Sequence, residues 1–297
     1  MIQKVEFRKV RDFGEVISDT FLFMKQNFKP LFKAFCYLCG FFLLAAMIST
    51  ILQQLGMQKV VNDGFVFRSD TNVWNTILSR IFTFQYFLAI LFNFIGYTSI
   101  YVAINSFIAL YVEKGGVAPT VEQVWAYFKF YFLRVMGSTL LLSLCMILCF
   151  AACIVPFIYI FPAMCLFYPI MIIENADFSY SFSRCFKLLK DQWWVTAGTI
   201  FVLWIITYAT MAFASMPAII IGLISGFSQG AKTMSTVMTV VTTVIQYLCY
   251  VFLVIPMIGT SLCYFNLVER QENTGLLDRI DQFGKPDADF NASSEEY

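Results

Sequence analysis

The sequence has no histidine. That removes the commonest general base, the commonest metal ligand and the side chain that usually titrates near neutral pH. Charge is scarce as well: Asp, Glu, Lys and Arg make up 13% of the 297 residues, about half of the roughly 25% found in an average soluble domain. The net charge of +1 and the lack of any Lys/Arg-rich tract exclude a nucleic-acid partner. Residues 81–112, 135–173, 195–231 and 233–268 hold no ionisable Asp, Glu, Lys or Arg at all. Ion-coupled transporters place such groups near the midplane and pair them, so this class has no support here. An intramembrane enzyme would lack both histidine and an acid pair within the bilayer. The first 29 residues contain no short apolar core with a small-residue cleavage site, so the first span is expected to act as the insertion signal itself.

Apolar side chains dominate what remains, with 59% hydrophobic and 18% aromatic residues. The predicted fold class is an all-α integral membrane protein. Six transmembrane helices form three hairpins, each preceded by a cytoplasmic amphipathic interfacial helix. An amphipathic N-terminal arm occupies residues 1–29 and ends at Pro30. The six-span membrane domain covers 30–268, with spans at about 31–55, 77–112, 136–155, 157–173, 194–226 and 234–268, since roughly 20 apolar residues cross the hydrocarbon core. An acidic cytoplasmic tail takes 269–297. The runs 77–112 and 234–268 are long for one span, and the first must tilt, bend near Gly96 or project beyond the lipid. Pro156 is the expected turn between the third and fourth spans, and residues 56–75 and 227–233 are the expected outer loops.

The stretch Asp177–Trp194 is the centre of this organisation. Phe178, Phe182, Cys185, Phe186, Leu189 and Trp193 fall on one helical face, with Arg184, Lys187 and Lys190 around it. Such a helix suits the membrane interface, with rings at the acyl boundary, cations toward anionic headgroups, and Trp193 and Trp194 at headgroup depth. Subtracting 165 returns a similar face at Phe13, Ile17, Thr20, Phe21, Met24 and Phe28, and Asp12-Phe13 matches Asp177-Phe178. Thr120-Val-Glu-Gln123 reads as a capping box opening a third amphipathic piece. Sixteen of the 20 Lys and Arg lie on the side of these helices, which places both termini in the cytoplasm by the positive-inside rule.

Other candidate chemistry has simpler explanations. The nine cysteines sit in apolar or amphipathic stretches and read as small apolar residues. Cys145, Cys149 and Cys153 share a helix face that could suit a soft metal, but no histidine or carboxylate completes a site, so helix packing is expected. Gly222, Gly226 and Gly230 suit either close helix contact or a flexible exit from the membrane. Asn93, Asn105, Gln85, Gln246 and Asn266 read as hydrogen-bonding glue between helices. Glu113, Glu174 and Glu269 each end an apolar segment. They either form an inner-face acid cluster for a cation or partner, or mark where the chain leaves lipid.

Residues 174–194, with Ser183, a Leu188-x-Lys190 turn, Trp193 and Trp194, resemble a signature of uncharacterised polytopic bacterial membrane proteins. That group is similar to the membrane domain of glycerophosphoryl diester phosphodiesterases. Asp191 departs from the glycine often found after the lysine. The resemblance extends over residues 10–270 and implies an architecture in the bacterial cytoplasmic membrane rather than an activity. A phosphodiesterase barrel needs about 250 residues, and only 27 follow Arg270. The expected function is that of a non-enzymatic scaffold or accessory subunit without cofactor. It would engage membrane lipids, anionic headgroups among them, or a protein partner in the membrane. The alternative is a transporter or flippase for a lipid-like or apolar solute, which needs no buried charge.

Overall fold

A computed structural model describes residues 4–62, 83–152, 154–229 and 236–272, and these residues form helices without strands. In chain order they are α1 (Phe13–Gln26), α2 (Phe28–Asn62), α3 (Phe84–Glu113), α4 (Val121–Ala152), α5 (Ile154–Ile173), α6 (Phe178–Leu189), α7 (Trp193–Gln229), α8 (Thr236–Cys249), a 3-10 turn (Tyr250–Leu253) and α9 (Val254–Glu272). Six stretches are long and apolar enough to cross a membrane; α8, the 3-10 turn and α9 together make the last of them. The chain is therefore a multi-pass membrane protein by the length and composition of its helices. The tail beyond Glu272, Trp74 and most of both expected outer loops lie outside the described residues. The expected glycine contact face lies there as well, since Gly230 is not described and the side-chain environment of Gly222 and Gly226 is not either.

Chain neighbours pack against each other. α2 lies along α3, α4 along α5, and α7 along α8 and α9, while α3 also contacts α4, α5 and α9 near the centre. Buried aromatic and aliphatic side chains from α2, α3, α5 and α9 fill this centre, among them Leu38, Phe107, Phe167 and Leu262. Polar side chains link the helices across it. Asn93 and Tyr247 each bond Thr50, Tyr247 also donates to Asn93, and Ser261 donates to Asn105 at 3.0 Å. In an apolar medium such bonds hold spans together where hydrophobic burial cannot.

Several boundaries differ from the sequence expectation, and the reasons are local. Pro30 does not end the arm. It is the third residue of α2, where a missing N–H costs nothing, and the break falls at Asn27, the C-cap of α1. α4 ends at Ala152 and α5 begins at Ile154, so Pro156, the expected turn, sits instead in the first turn of α5 for the same reason. The amphipathic piece after Thr120 and the third span form one helix of 32 residues. Its expected capping bond is present, Thr120 N–H donating to Gln123 Oε1 at 3.0 Å. α2 continues to Asn62 and absorbs the start of the expected outer loop. α3 runs without interruption through Gly96. That glycine is a contact point, where an added Cβ would meet Leu43 of α2 at 3.3 Å. The last span does break: the 3-10 turn Tyr250–Leu253 precedes Pro256, whose ring and absent N–H disturb the α-helical bonding of the turn before it.

The N-terminal arm is not a free amphipathic helix. Residues 4–12 are non-helical and fold under the bundle, with Val5 and Phe7 buried. Phe7 packs edge-on against Phe23, Tyr111 and Phe265. α1 presents Val16, Thr20, Phe23 and Asn27 to the bundle, so Phe13 and Phe28 from the predicted face stay exposed. The apolar arc of α1 is wide enough to serve two surroundings, and the protein takes its i, i+4, i+7 edge.

Candidate functional site

Two places gather polar side chains in a chain that has few. The first is a collar at the end of the bundle where α3, α5 and α9 stop. Asp177 caps α6 by accepting Tyr180 N–H at 3.3 Å, and Asn175 takes a positive φ of 50° to turn the chain from α5 into α6. α6 then runs back along α5: Phe178 packs on Phe167 at 5.4 Å between ring centroids, and Trp193 stacks on Tyr159 at 5.5 Å. These two α5 positions are eight residues apart, about 12 Å of helix. The buried side of α6 is Ser181, Cys185, Leu188 and Leu189, with Phe178, Phe182 and Phe186 half-buried against the core. The predicted rings thus meet protein on one side of α6.

Arg184 is the hub of the collar. Its Nε lies 3.3 Å from Glu174 Oε1 and its Nη2 lies 2.5 Å from Glu272 Oε1, joining α6 to the ends of α5 and α9. The side chain is only 11% exposed, so among the predicted interface residues it is spent within the protein rather than on headgroups. Burial alone would lower its pKa. The hydrogen bond to Glu272 and the charges of Glu174 and Glu272 outweigh that, and the net shift is upward. Tyr264 donates to Glu174 at 2.9 Å, and Arg134 donates to Asn175 at 3.1 Å. Gln271 donates to the carbonyls of Lys187 and Leu188, capping the end of α6. Nearby Tyr180 is pushed up by the negative charge of Glu174. Lys187, Lys190 and Trp194 point outward, Trp194 being 82% exposed, and Trp193 donates its indole N–H to Tyr159 O. Lys190, Trp193 and Trp194 border a shallow cleft of about 490 Å³ with Tyr159.

Of the two readings of the three acids, as an inner-face cluster or as marks of where the chain leaves lipid, the described residues do not bring them together as a cation site. Glu113 accepts from Tyr127 at 2.8 Å, Glu174 serves Arg184 and Tyr264, and Glu269 is buried on α9. On α4, Glu113 is held at Tyr127 and the Glu174 turn at Arg134, seven residues or about 10 Å apart. Among the described residues no three acids or cysteines group so as to hold a metal ion.

A second lock was not legible in the sequence. Arg11 is 1% exposed. It pairs with Asp19 at 2.7 Å and donates to the carbonyls of Glu6, Phe7 and Lys9. Its backbone N–H donates to Asn266 Oδ1 at 2.8 Å, and Arg270 donates to its carbonyl at 2.8 Å. A buried arginine in a charged arm carries no periodic signal. Only the asparagine inside the last apolar run hinted at it.

The second place carries no charge. A pocket of about 660 Å³ lies between α3, α7, α8, the 3-10 turn and α9, bordered by Tyr97, Tyr101, Trp204, Tyr208, Gln246 and Tyr250. In sequence these are three i, i+4 pairs on three segments. Each pair marks one helical face, but only the packing of the segments unites them. Comparison of the chain with protein families, with characterised proteins and with solved structures finds no match.

Proposed function

We propose that the chain is a non-enzymatic scaffold or accessory subunit of the bacterial cytoplasmic membrane, with both termini cytoplasmic and its inner face engaging anionic lipid or a membrane partner. One observation carries this reading. The collar fixes α6 to α5 and α9 through Arg184 and Gln271, while Lys187, Lys190 and Trp194 remain outside it. A helix held this way offers cations and an indole at a fixed place, as a lipid or partner contact requires. The absence of histidine and of charge along the spans supports the non-enzymatic part.

The repeat and the three-hairpin plan belong to the same proposal. Asp12 and Asp177 each stand directly before a helix, and buried Val16, Thr20 and Phe23 match buried Ser181, Cys185 and Leu188 at the offset of 165. The neighbour packing of α2 with α3, α4 with α5 and α7 with α8 supports three hairpins. Resemblance to the membrane domain of glycerophosphoryl diester phosphodiesterases is consistent with such a plan. The direct test is binding of the purified full chain to vesicles of phosphatidylcholine with and without phosphatidylglycerol as fluid-phase partners of a nanodisc-held sample. Binding that rises with anionic lipid and falls in K187Q/K190Q is expected; indifference to lipid charge would remove the lipid half of the proposal. The pocket favours a second reading, transport of a lipid-like solute.

A further inference from the structure

We propose that the pocket between α3, α7 and α8 binds an uncharged membrane lipid by a head that presents carbonyl oxygens. This goes beyond the scaffold reading and stands whether or not the inner face recruits a partner.

The walls come from runs free of Asp, Glu, Lys and Arg. A charged head placed there would lose its hydration with no counter-charge to replace it, so the occupant is neutral. Tyr97 and Tyr208 at the margin are 40% and 61% exposed. Both belong to membrane-spanning segments, so an occupant enters from the bilayer. A volume of about 660 Å³ is within the common range of about 300–1,000 Å³ for small-molecule sites. It accommodates a head group and the start of a tail, the remainder staying in the lipid.

The polar groups of the wall are rich in unspent donors. Tyr97 donates its hydroxyl to Tyr250 at 3.1 Å, and Gln246 also donates to Tyr250, so the Tyr250 proton is left over. The hydroxyls of Tyr101 and Tyr208 make no hydrogen bond among the described residues. The indole N–H of Trp204 is not among these unspent donors, since it is buried against the thiol of Cys165. Buried donors ordinarily find an acceptor, and in an uncharged site the fitting complement is a carbonyl or ester oxygen. The rings are set for flat contact. Tyr101 stacks on Tyr168 at 4.2 Å, and Trp204 stacks on Tyr208 at 5.5 Å. A quinone ring and the ester head of a diacylglycerol share this chemistry, and the stacked rings give the planar head an added contact.

The test uses the purified full chain in detergent with four probes: a short-tailed quinone, a short-chain diacylglycerol, phosphatidylglycerol and decane. Binding is read by native mass spectrometry and by the shift of the unfolding midpoint. Saturable binding of the quinone, the diacylglycerol or both is expected, with phosphatidylglycerol and decane weaker by at least tenfold. The relative affinity of the first two identifies the head. Y101F/Y208F keeps both rings and removes two donors, so affinity should fall about tenfold while the ligand-free midpoint stays unchanged. Ala212→Phe, which fills the pocket from its lining, should abolish binding. Absence of saturable binding, equal binding of phosphatidylglycerol or decane, or undiminished affinity in Y101F/Y208F would each overturn the assignment.

Discussion

A Cβ added at Gly259 would collide with Cδ1 of Leu203 and press on its Cγ, and both residues sit in the buried contact between α7 and α9. Overpacking at such a point costs about 1–3 kcal/mol, so Gly259→Ala should lower the unfolding midpoint. Leu203→Ala alone leaves a cavity costing about 2–5 kcal/mol. The two changes touch the same atoms, so the double variant should be more stable than the sum of the single effects predicts; strict additivity in a double-mutant cycle would contradict the contact. Arg11 gives a second residue-scale expectation. Arg11→Met strips Asp19 and three carbonyls of their donor, and breaking a buried pair costs about 3–5 kcal/mol. Removing the acid as well, in R11M/D19L, should recover part of that loss. The sequence showed the glycine and the arginine but not their surroundings, because both effects depend on segments distant in the chain.

The helices divide into those whose partners are set by the nearby sequence and those that depend on distant ones. Capping residues are local, so Thr120 marks a helix start from sequence alone, and the structure adds Asp12 and Asp177 as caps of α1 and α6. At the start of α1, the backbone N–H of Asp12 and then the Lys9 ammonium hold the Glu15 carboxyl below its usual range. A lowered carboxyl adds stability above its unfolded pKa and loses it as pH falls through the folded value. Glu15→Gln should therefore flatten the acid-side loss of α1 protection measured by hydrogen exchange. The face that α6 presents was legible as apolar, but its register against α5 was not. Half-buried Phe182 and Phe186 serve protein on one side, and Arg184 serves two carboxylates instead of lipid. Arg184→Gln should accordingly loosen α6 even in uncharged lipid, whereas K187Q/K190Q should leave its exchange protection intact. Equal loss in both variants would argue against the collar.

At the scale of the whole molecule, the number of spans followed from lengths of uncharged chain, because a bilayer sets a minimum that few folds evade. Where each span bends did not follow. Pro30 and Pro156 fit harmlessly into first turns, while Pro256 comes with a 3-10 turn. Pro162 and Pro169 lie inside α5 without ending it, so proline alone does not locate the breaks. The pocket escaped notice for a related reason, since three i, i+4 pairs on three segments, five rings and one amide, share nothing until the segments pack. Topology remains a global quantity that labelling can decide. With native cysteines replaced, a cysteine at Ser179 should react from the cytoplasmic side, and reaction only from the opposite side would invert the orientation.

The strap formed by residues 4–12 closes on the last helix, and the bond from Arg11 to Asn266 spans 255 residues. At synthesis rates of roughly 5–20 residues per second, some 10–50 s separate the two partners leaving the ribosome. Through that interval Phe7 and Arg11 have only part of their seat, from Phe23, Tyr111 and Asp19, because Phe265, Asn266 and Arg270 do not yet exist. An early segment is thus also a latch of the fold, and it is fully secured only once α9 has been made. A chain halted before α9 would carry this segment incompletely covered, so limited proteolysis of residues 4–12 should tell a truncated molecule from one that has made α9.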